Sequence, residues 1–385
     1  MISLIDYKNE FSARQGIHFN NAGMAPVSKR VAERLQHAVQ GNQVGGSLID
    51  SEWVPAIRNT RQRLANFLNT DVEDVAFTWN TSQGISQAAF GFPLTPKDSV
   101  VTVDQEYASN YYPWKVACER SGAKLIVVSS GENKELSLEK LIEAIKPGVK
   151  LVGVSWVQFQ TGSILDLKTL GDHCHSVGAY LVVDVIQGLG QIPFSLKDLP
   201  VDMVTGASHK WLCGTTGQGF FAVKKELRDL LNPLVIGSSN FNRFGTFADP
   251  NAPMETSARK FESGGIGYLP LFALDSALSL AQDVSVQAIA GEITSLSRSL
   301  REGLLECESV KLATPLDQVG GITSFRLPAE REFKFLKQCK EESIAIVKRA
   351  EFIRISLHAF CDQDEVARVL QLLSSDGCSK NSDSR

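Results

Sequence analysis

No run of the sequence approaches the ~18 apolar residues of a membrane helix, so no membrane partner is expected. The opening MISLIDYKNEF sets Asp6, Lys8 and Glu10 where a secretory signal needs an unbroken apolar stretch. Cysteine is sparse and unpatterned. Seven occur, at 118, 174, 213, 307, 339, 361 and 378, with no Cys-x-x-Cys pair. An odd, scattered set suits neither a disulfide framework nor a zinc ribbon, and no metal site is expected. Cys378 stands too far from the C-terminus for prenylation. A reducing cytoplasmic compartment is the expectation. Charge of one sign is missing as well: 39 Lys and Arg face 43 Asp and Glu, for a net charge of −4. A nucleic-acid partner would call for a basic face, and none is seen.

What is present is ordinary globular material, 43% hydrophobic and 21% charged over 385 residues. At ~150 residues per domain, two or three units are expected. From about 98 to 225, apolar runs alternate with helix-like stretches. SVVTV (99–103), AKLIVV (123–128), VKLVGVSWV (149–157), AYLVVDV (179–185) and GFFAVKK (219–225) are strand-like. Most are continuously apolar, as strands buried on both faces are. Leu138–Lys146 is a candidate helix with Ser137 as its cap and Pro147 as its stop. The alternation predicts an α/β sheet covered on both sides.

Residues 231–267 are rich in Asn, Gly, Ser and Phe and read as long loops. Leu271, Leu274, Leu278 and Ala281 then recur at helical spacing, marking a long connecting helix. Beyond it come a strand (GITSFRL, 321–327), a helix (332–342), strands SIAIV and FIRISL, and a last helix opened by Asp362 and Glu365 as a capping box. The expected division is a large domain over 16–267 and a small one over 268–373 with 1–15. Residues 374–385 are too polar to pack and are expected to form a disordered tail.

Several residues are candidates for chemistry. Asp184 ends the run YLVVD, where open α/β sheets place ligands. A helix cap is the plainer alternative. Gln187 follows three residues on. Lys210 lies within GASHKWLCGTTGQG (206–219), and most such lysines merely reach solvent along their stems. A desolvated lysine beside cationic neighbours can instead become a Schiff-base nucleophile. Thr81 and Ser82 stand where the strand VAFTW meets a helix rich in Ala and Gly, a place suited to anions or simply to capping.

Together these motifs resemble the class V aminotransferases, a family of pyridoxal 5′-phosphate enzymes. The branch resembled includes cysteine desulfurases, selenocysteine lyase and isopenicillin N epimerase. The likeness runs from HFNNAGMAP (18–26) to FIRISLHAF (352–360). It implies an aspartate aminotransferase-like fold, with a mainly parallel seven-stranded sheet in the large domain and a smaller α/β domain. It further implies that Lys210 carries the Schiff base and moves protons at the substrate α-carbon, while Asp184 pairs with the pyridine nitrogen. Gln187 would meet the ring hydroxyl, and Thr81, Ser82 and His209, with Ser208 beside them, would hold the phosphate. Tyr107 takes the place of the ring-stacking residue, with core packing as its plainer reading. Arg354 would bind the substrate α-carboxylate, helped by Asn21. A homodimer and an amino-acid substrate are implied as well.

Three departures from the family pattern bear on the reaction. Desulfurases carry a mobile cysteine upstream of the arginine, yet EESIAIVKRAEFIRIS (341–356) has none. Gly265 stands where relatives place a threonine that reaches the neighbouring subunit's phosphate, and Ala207 where they place a serine. The resulting expectation is β-elimination at a C–S bond without a persulfide. Transamination, epimerisation and a catalytically silent regulatory protein are the alternatives.

Overall fold

The computed structural model describes residues 2–46, 50–132, 134–242 and 249–374. A two-residue strand, β1 (Ile17–His18), precedes the main sheet. That sheet is built from β2 (Val75–Thr78), β3 (Ser99–Val103), β4 (Lys124–Val128), β5 (Val149–Ser155), β6 (Tyr180–Asp184), β7 (Met203–Ala207) and β8 (Gly219–Val223). Its order is β2-β8-β7-β6-β5-β3-β4. The run from β4 to β7 is parallel throughout, and β8 lies antiparallel between β7 and β2.

The continuous hydrophobicity of these strands has a direct cause. Val101, Val152 and Val183 enter one core, while their neighbours Val100, Leu151 and Val182 enter another on the opposite face. Both faces are covered, and only the edge strand β4 and Lys150 of β5 keep exposed positions among β3 to β6. The strand at 203–207 escaped the sequence reading. MVTGA is short and carries Thr205 and Gly206, yet all five residues are buried. Thr205 Oγ1 satisfies itself by donating to the Phe220 carbonyl at 2.8 Å.

The chain reverses its direction of travel across the sheet between β3 and β5. After β4 is added outside β3, the next strand, β5, is added on the other side. A crevice opens at the carboxyl ends of the strands at such a point.

The smaller sheet contains β9 (Lys311–Leu312) and β10 (Ile322–Arg326); β11 (Ile344–Ala345), β12 (Val347–Arg349) and β13 (Phe352–Ser356) follow. Its order is β12-β13-β10-β9, all antiparallel. The stretch SIAIV, expected as one strand, is divided: β11 pairs with β1, and β12 turns away to pair with β13. The last helix, Gln363–Ser374, runs one residue past the expected limit. Its entry is closed by the Asp362 amide donating to Glu365 Oε2 at 2.9 Å. The expected tail beyond it, 375–385, lies outside the described residues.

Among the described residues, 231–267 is mostly irregular, as its composition implied, with short turns at Ser238–Asn240 and Ala258–Phe261. A buried ion pair anchors it. Glu262 pairs with Arg61 and also accepts the Phe77 amide of β2 at 2.7 Å. The helix Tyr268–Val284 begins just after the division proposed at residue 267, yet packs against Lys29–Gly45 and Asp50–Leu68 on the other side of it; the division remains a proposal. Among the described residues, no helix is long and apolar enough to cross a membrane.

His358 joins the two sheets at the centre of an aromatic stack with Tyr7, Trp211 and Phe360. Its Nε2 lies 3.1 Å from the Trp211 carbonyl, and its Nδ1 accepts the Ala359 amide at 2.9 Å. Burial pushes its pKa down to about 4. The folded imidazole is therefore neutral, while the unfolded one gains a proton near ~6.5. Stability from this source is whole above that value and falls as the pH drops toward 4. From pH 7 to 5 the loss from this group should be about 2 kcal/mol. Urea unfolding of wild type and His358→Asn at both pH values checks it: the variant, weaker throughout, should show the smaller loss on acidification.

Candidate active site

At the crevice lies a cavity of about 230 Å³, walled mostly by the segments that follow strand ends. β2 leads into the helix Thr81–Gly91, whose cap is Asn80: its side-chain oxygen accepts the Gln83 amide at 2.9 Å. A helix start leaves its first amides without intrahelical partners and favours anions. Gly84 lets this helix settle on β7, because a Cβ there would fall 1.9 Å from Thr205 Oγ1. Thr81 and Ser82 both line the cavity. The Thr81 hydroxyl is buried and has no partner among the described residues, while Ser82 donates to Ser109 Oγ at 2.8 Å.

Asp184 closes β6 and is buried, with Oδ1 accepting the Ile186 amide at 2.9 Å. Lys210 follows β7 in the turn that precedes β8. Burial raises the Asp184 pKa, and the nearby Glu106 adds to the rise. Burial likewise lowers that of Lys210; the opposite charge of Asp184 holds it up, and Arg354 and Arg349 press it down. Each of these two groups thus offsets part of the other's desolvation. His209, beside Lys210 on the cavity wall, is pushed down to about 4 mainly by burial and is neutral.

Arg354 enters from the second sheet, on β13. It is fully buried, donating from Nη1 to the Phe159 carbonyl at 2.7 Å and from Nη2 to Asn20 Oδ1 at 3.2 Å. Its Nε has no partner among the described residues. Burial lowers its pKa to about 10, so it stays cationic at neutral pH. Gln187 is held at both ends of its amide, donating to the Ala22 carbonyl at 3.0 Å and accepting from the Trp211 indole at 2.9 Å. One N–H remains to it. Tyr107 is not packed in the core; it is 53% exposed at the cavity mouth, edge-on to Phe159.

Two expected residues stand off the cavity. Ser208 is buried with its hydroxyl donated to the Thr215 carbonyl at 2.5 Å. Asn21 donates to the Ser356 carbonyl at 2.8 Å, and its neighbour Asn20 is the residue that meets Arg354. Three residues went unread in the sequence. Ser155 and Arg349 line the cavity, and Glu106 lies behind it, its carboxylate accepting from the Ser155 amide, Asn110 and Gln158 at 2.6, 2.8 and 3.1 Å. Ser155 faces Asp184 in register on the adjoining strand, so Glu106 is tied to the end of β5. A lone Glu before an aromatic gives no sequence signal of such burial.

The chain was compared with known proteins. The family model for class V aminotransferases matches residues 17–369. A probable cysteine desulfurase of Pyrococcus abyssi is 28% identical over 334 residues, covering 82% of this chain and 81% of that protein. Among solved structures, a lysine-to-alanine mutant of C-DES with glycine covalently linked to its PLP cofactor superposes with a TM-score of 0.88 at 21% identity, covering 96% of this chain and 99% of that one. The cystine C–S lyase C-DES bound to its product cysteine persulfide gives 0.88 at 21% identity, over 95% and 99%. These likenesses establish the fold, an α/β architecture with a mainly parallel central sheet.

The unpartnered Thr81 hydroxyl at the helix start fits a phosphate-bearing group. Thr81→Val should weaken binding of pyridoxal 5′-phosphate to the apo-protein roughly tenfold, the scale of one hydrogen bond to a charged group. Pyridoxal, lacking the phosphate, should bind both proteins alike. Calorimetric titration measures this, and equal phosphate-ester affinity in the two proteins would remove Thr81 from the site.

Proposed function

The chain belongs to the class V aminotransferase family, and on that premise we propose a pyridoxal-phosphate enzyme that cleaves a C–S bond of an amino acid by β-elimination, without a persulfide cysteine. The observation that carries the reading is the cavity's composition. Lys210, Asp184 and Arg354 converge there, and no cysteine among the described residues does. All six cysteines among the described residues are buried. Cys339 and Cys361, which flank the segment where desulfurases carry theirs, are pushed up to about 12 by burial. Both are thiols at neutral pH, whereas attack on sulfur needs a thiolate. Cys378 lies outside the described residues. Sulfur as the leaving atom is supported by the relatives named as a cysteine desulfurase and a cystine C–S lyase.

The donor set suits the cofactor. Thr81, Ser82 and neutral His209 would hold its phosphate, and Asp184 its pyridine nitrogen. Gln187 would offer its remaining N–H to the ring oxygen, and Lys210 would be the point of covalent attachment. What bound pyridoxal phosphate supplies is an electron sink for the charge left at the α-carbon. Arg354 would fix the substrate carboxylate and with it the direction of the Cα–H bond. Desolvated Lys210, with its lowered pKa, takes the α-proton as a neutral amine. The C–S bond breaks with both electrons going to sulfur, which leaves as thiolate or sulfide. The remaining three-carbon fragment is hydrolysed to pyruvate and ammonia.

Products decide the reading. Incubation with L-cysteine or L-cystine should give pyruvate and ammonia in equal amounts, with sulfur released as sulfide or persulfide. Lys210→Ala should abolish both turnover and borohydride-reducible attachment of cofactor, and serine at each of the seven cysteines should leave turnover largely intact. Alanine formed stoichiometrically, and lost in one particular Cys→Ser variant, would make the protein a desulfurase. A keto acid keeping the substrate's whole side chain would make it a transaminase.

A homodimer belongs to the same proposal. Leu234, Val235, Ile236 and Met254 expose apolar side chains on the irregular segment, which suits burial against a second copy. Sedimentation equilibrium should find a dimer at micromolar concentration; a fully active monomer there would sink this expectation.

A further inference from the structure

The ionisable groups around the cavity do not balance. Asp184 is its one lining carboxylate among the described residues, set against Lys210, Arg349 and Arg354. Arg354 is tied down by Phe159 and Asn20. Arg349 differs. It is exposed on the short edge strand β12, and its side chain has no hydrogen bond or ion pair among the described residues. The carboxylates nearby are already engaged: Glu332 with Lys348, and Glu351 with Arg326 at 3.1 Å.

Register fixes how the two arginines relate. Val347 of β12 lies opposite Arg354 of β13, and Arg349 lies two residues beyond Val347. Residues two apart on a strand share a face. Arg349 and Arg354 are therefore diagonal neighbours on one face, about 7–8 Å apart at the backbone. Two guanidinium groups so placed suit one ligand carrying two anionic groups a few bonds apart.

We propose that the substrate is an amino acid whose side chain or sulfur substituent ends in a second anionic group, a carboxylate or an oxidised-sulfur acid, received by Arg349 while Arg354 takes the α-carboxylate. This rests on the reading of the cavity as an amino-acid site. A charge-assisted hydrogen bond at a rim residue discriminates by about tenfold.

The test uses the holoenzyme and two probes of similar shape, S-carboxymethyl-L-cysteine and S-methyl-L-cysteine. Affinity is read from the change each causes in the visible spectrum of the bound cofactor. The carboxymethyl compound should bind about tenfold more tightly to wild type. Arg349→Ala should bring that ratio close to one, and Arg349→Lys should keep part of it. Equal affinities in wild type, or a ratio that survives in Arg349→Ala, would overturn the proposal while leaving the amino-acid site standing. Failure of both probes to perturb the spectrum would overturn the two together.

Discussion

Two opposite charges brought out of water at the carboxyl edge of one sheet set the terms for the rest of the structure. A carboxylate as buried as Asp184 is costly unless something answers it, and so is a desolvated lysine. Their proximity depends on β6 and β7 being adjacent and parallel, because only then do both chains leave the sheet on the same side. An antiparallel β7 would carry Lys210 to the far edge. The parallel run, covered on both faces, thus serves the site by aligning strand ends as much as by supplying a core.

The same alignment explains what each neighbouring element contributes. β2 ends on that edge too, since it and β7 are both antiparallel to β8. The helix that begins there brings its N-terminal end and the Thr81 hydroxyl, which has no partner among the described residues, to one end of the cavity. β5 ends at Ser155, backed by Glu106. Burial raises the pKa of that second carboxylate, the amide and hydroxyl donors of Ser155, Gln158 and Asn110 hold it down, and its nearness adds to the rise at Asp184.

How much of this was legible in the sequence follows from what each residue's surroundings leave in the chain. β3, β5 and β6 were legible because burial on both faces writes itself as a nearly unbroken apolar run, and β4, though half-exposed at the sheet edge, shares that apolar pattern. β7 was not, since Thr205 and Gly206 answer local needs, a carbonyl to satisfy and the Phe220 ring beside Gly206. Lys210, Asp184 and Arg354 had weak signals one by one and became readable only as an ordered set resembling a family. Ser208 and Asn21 were placed by that resemblance, but one hydroxyl or amide is easily satisfied by the nearest carbonyl, which is where theirs went. Glu106 and Asn20 owe their positions to contacts between distant segments, which no local pattern encodes, and Arg349 reaches the cavity only because its local hairpin with β13 is itself carried there.

The two arginines show how one scaffold can keep its chemistry and vary its substrate. Arg354 is fixed by acceptors from the segment after β5 and from the N-terminal segment, Phe159 and Asn20, so its guanidinium has little freedom left to lose when a carboxylate arrives. If Arg354 receives the substrate carboxylate as proposed, the orientation of the α-carbon against Lys210 would be built in before binding. Arg349, on a three-residue edge strand open to solvent, has no such ties and can follow a side chain of differing length. Changing a residue there leaves the strand ends in place, and reaches the buried pair only through the long-range charge by which Arg349 presses on Lys210. On the proposal made above, reaction chemistry would rest on the carboxyl edge and selectivity on the margin, where substitution costs the fold little.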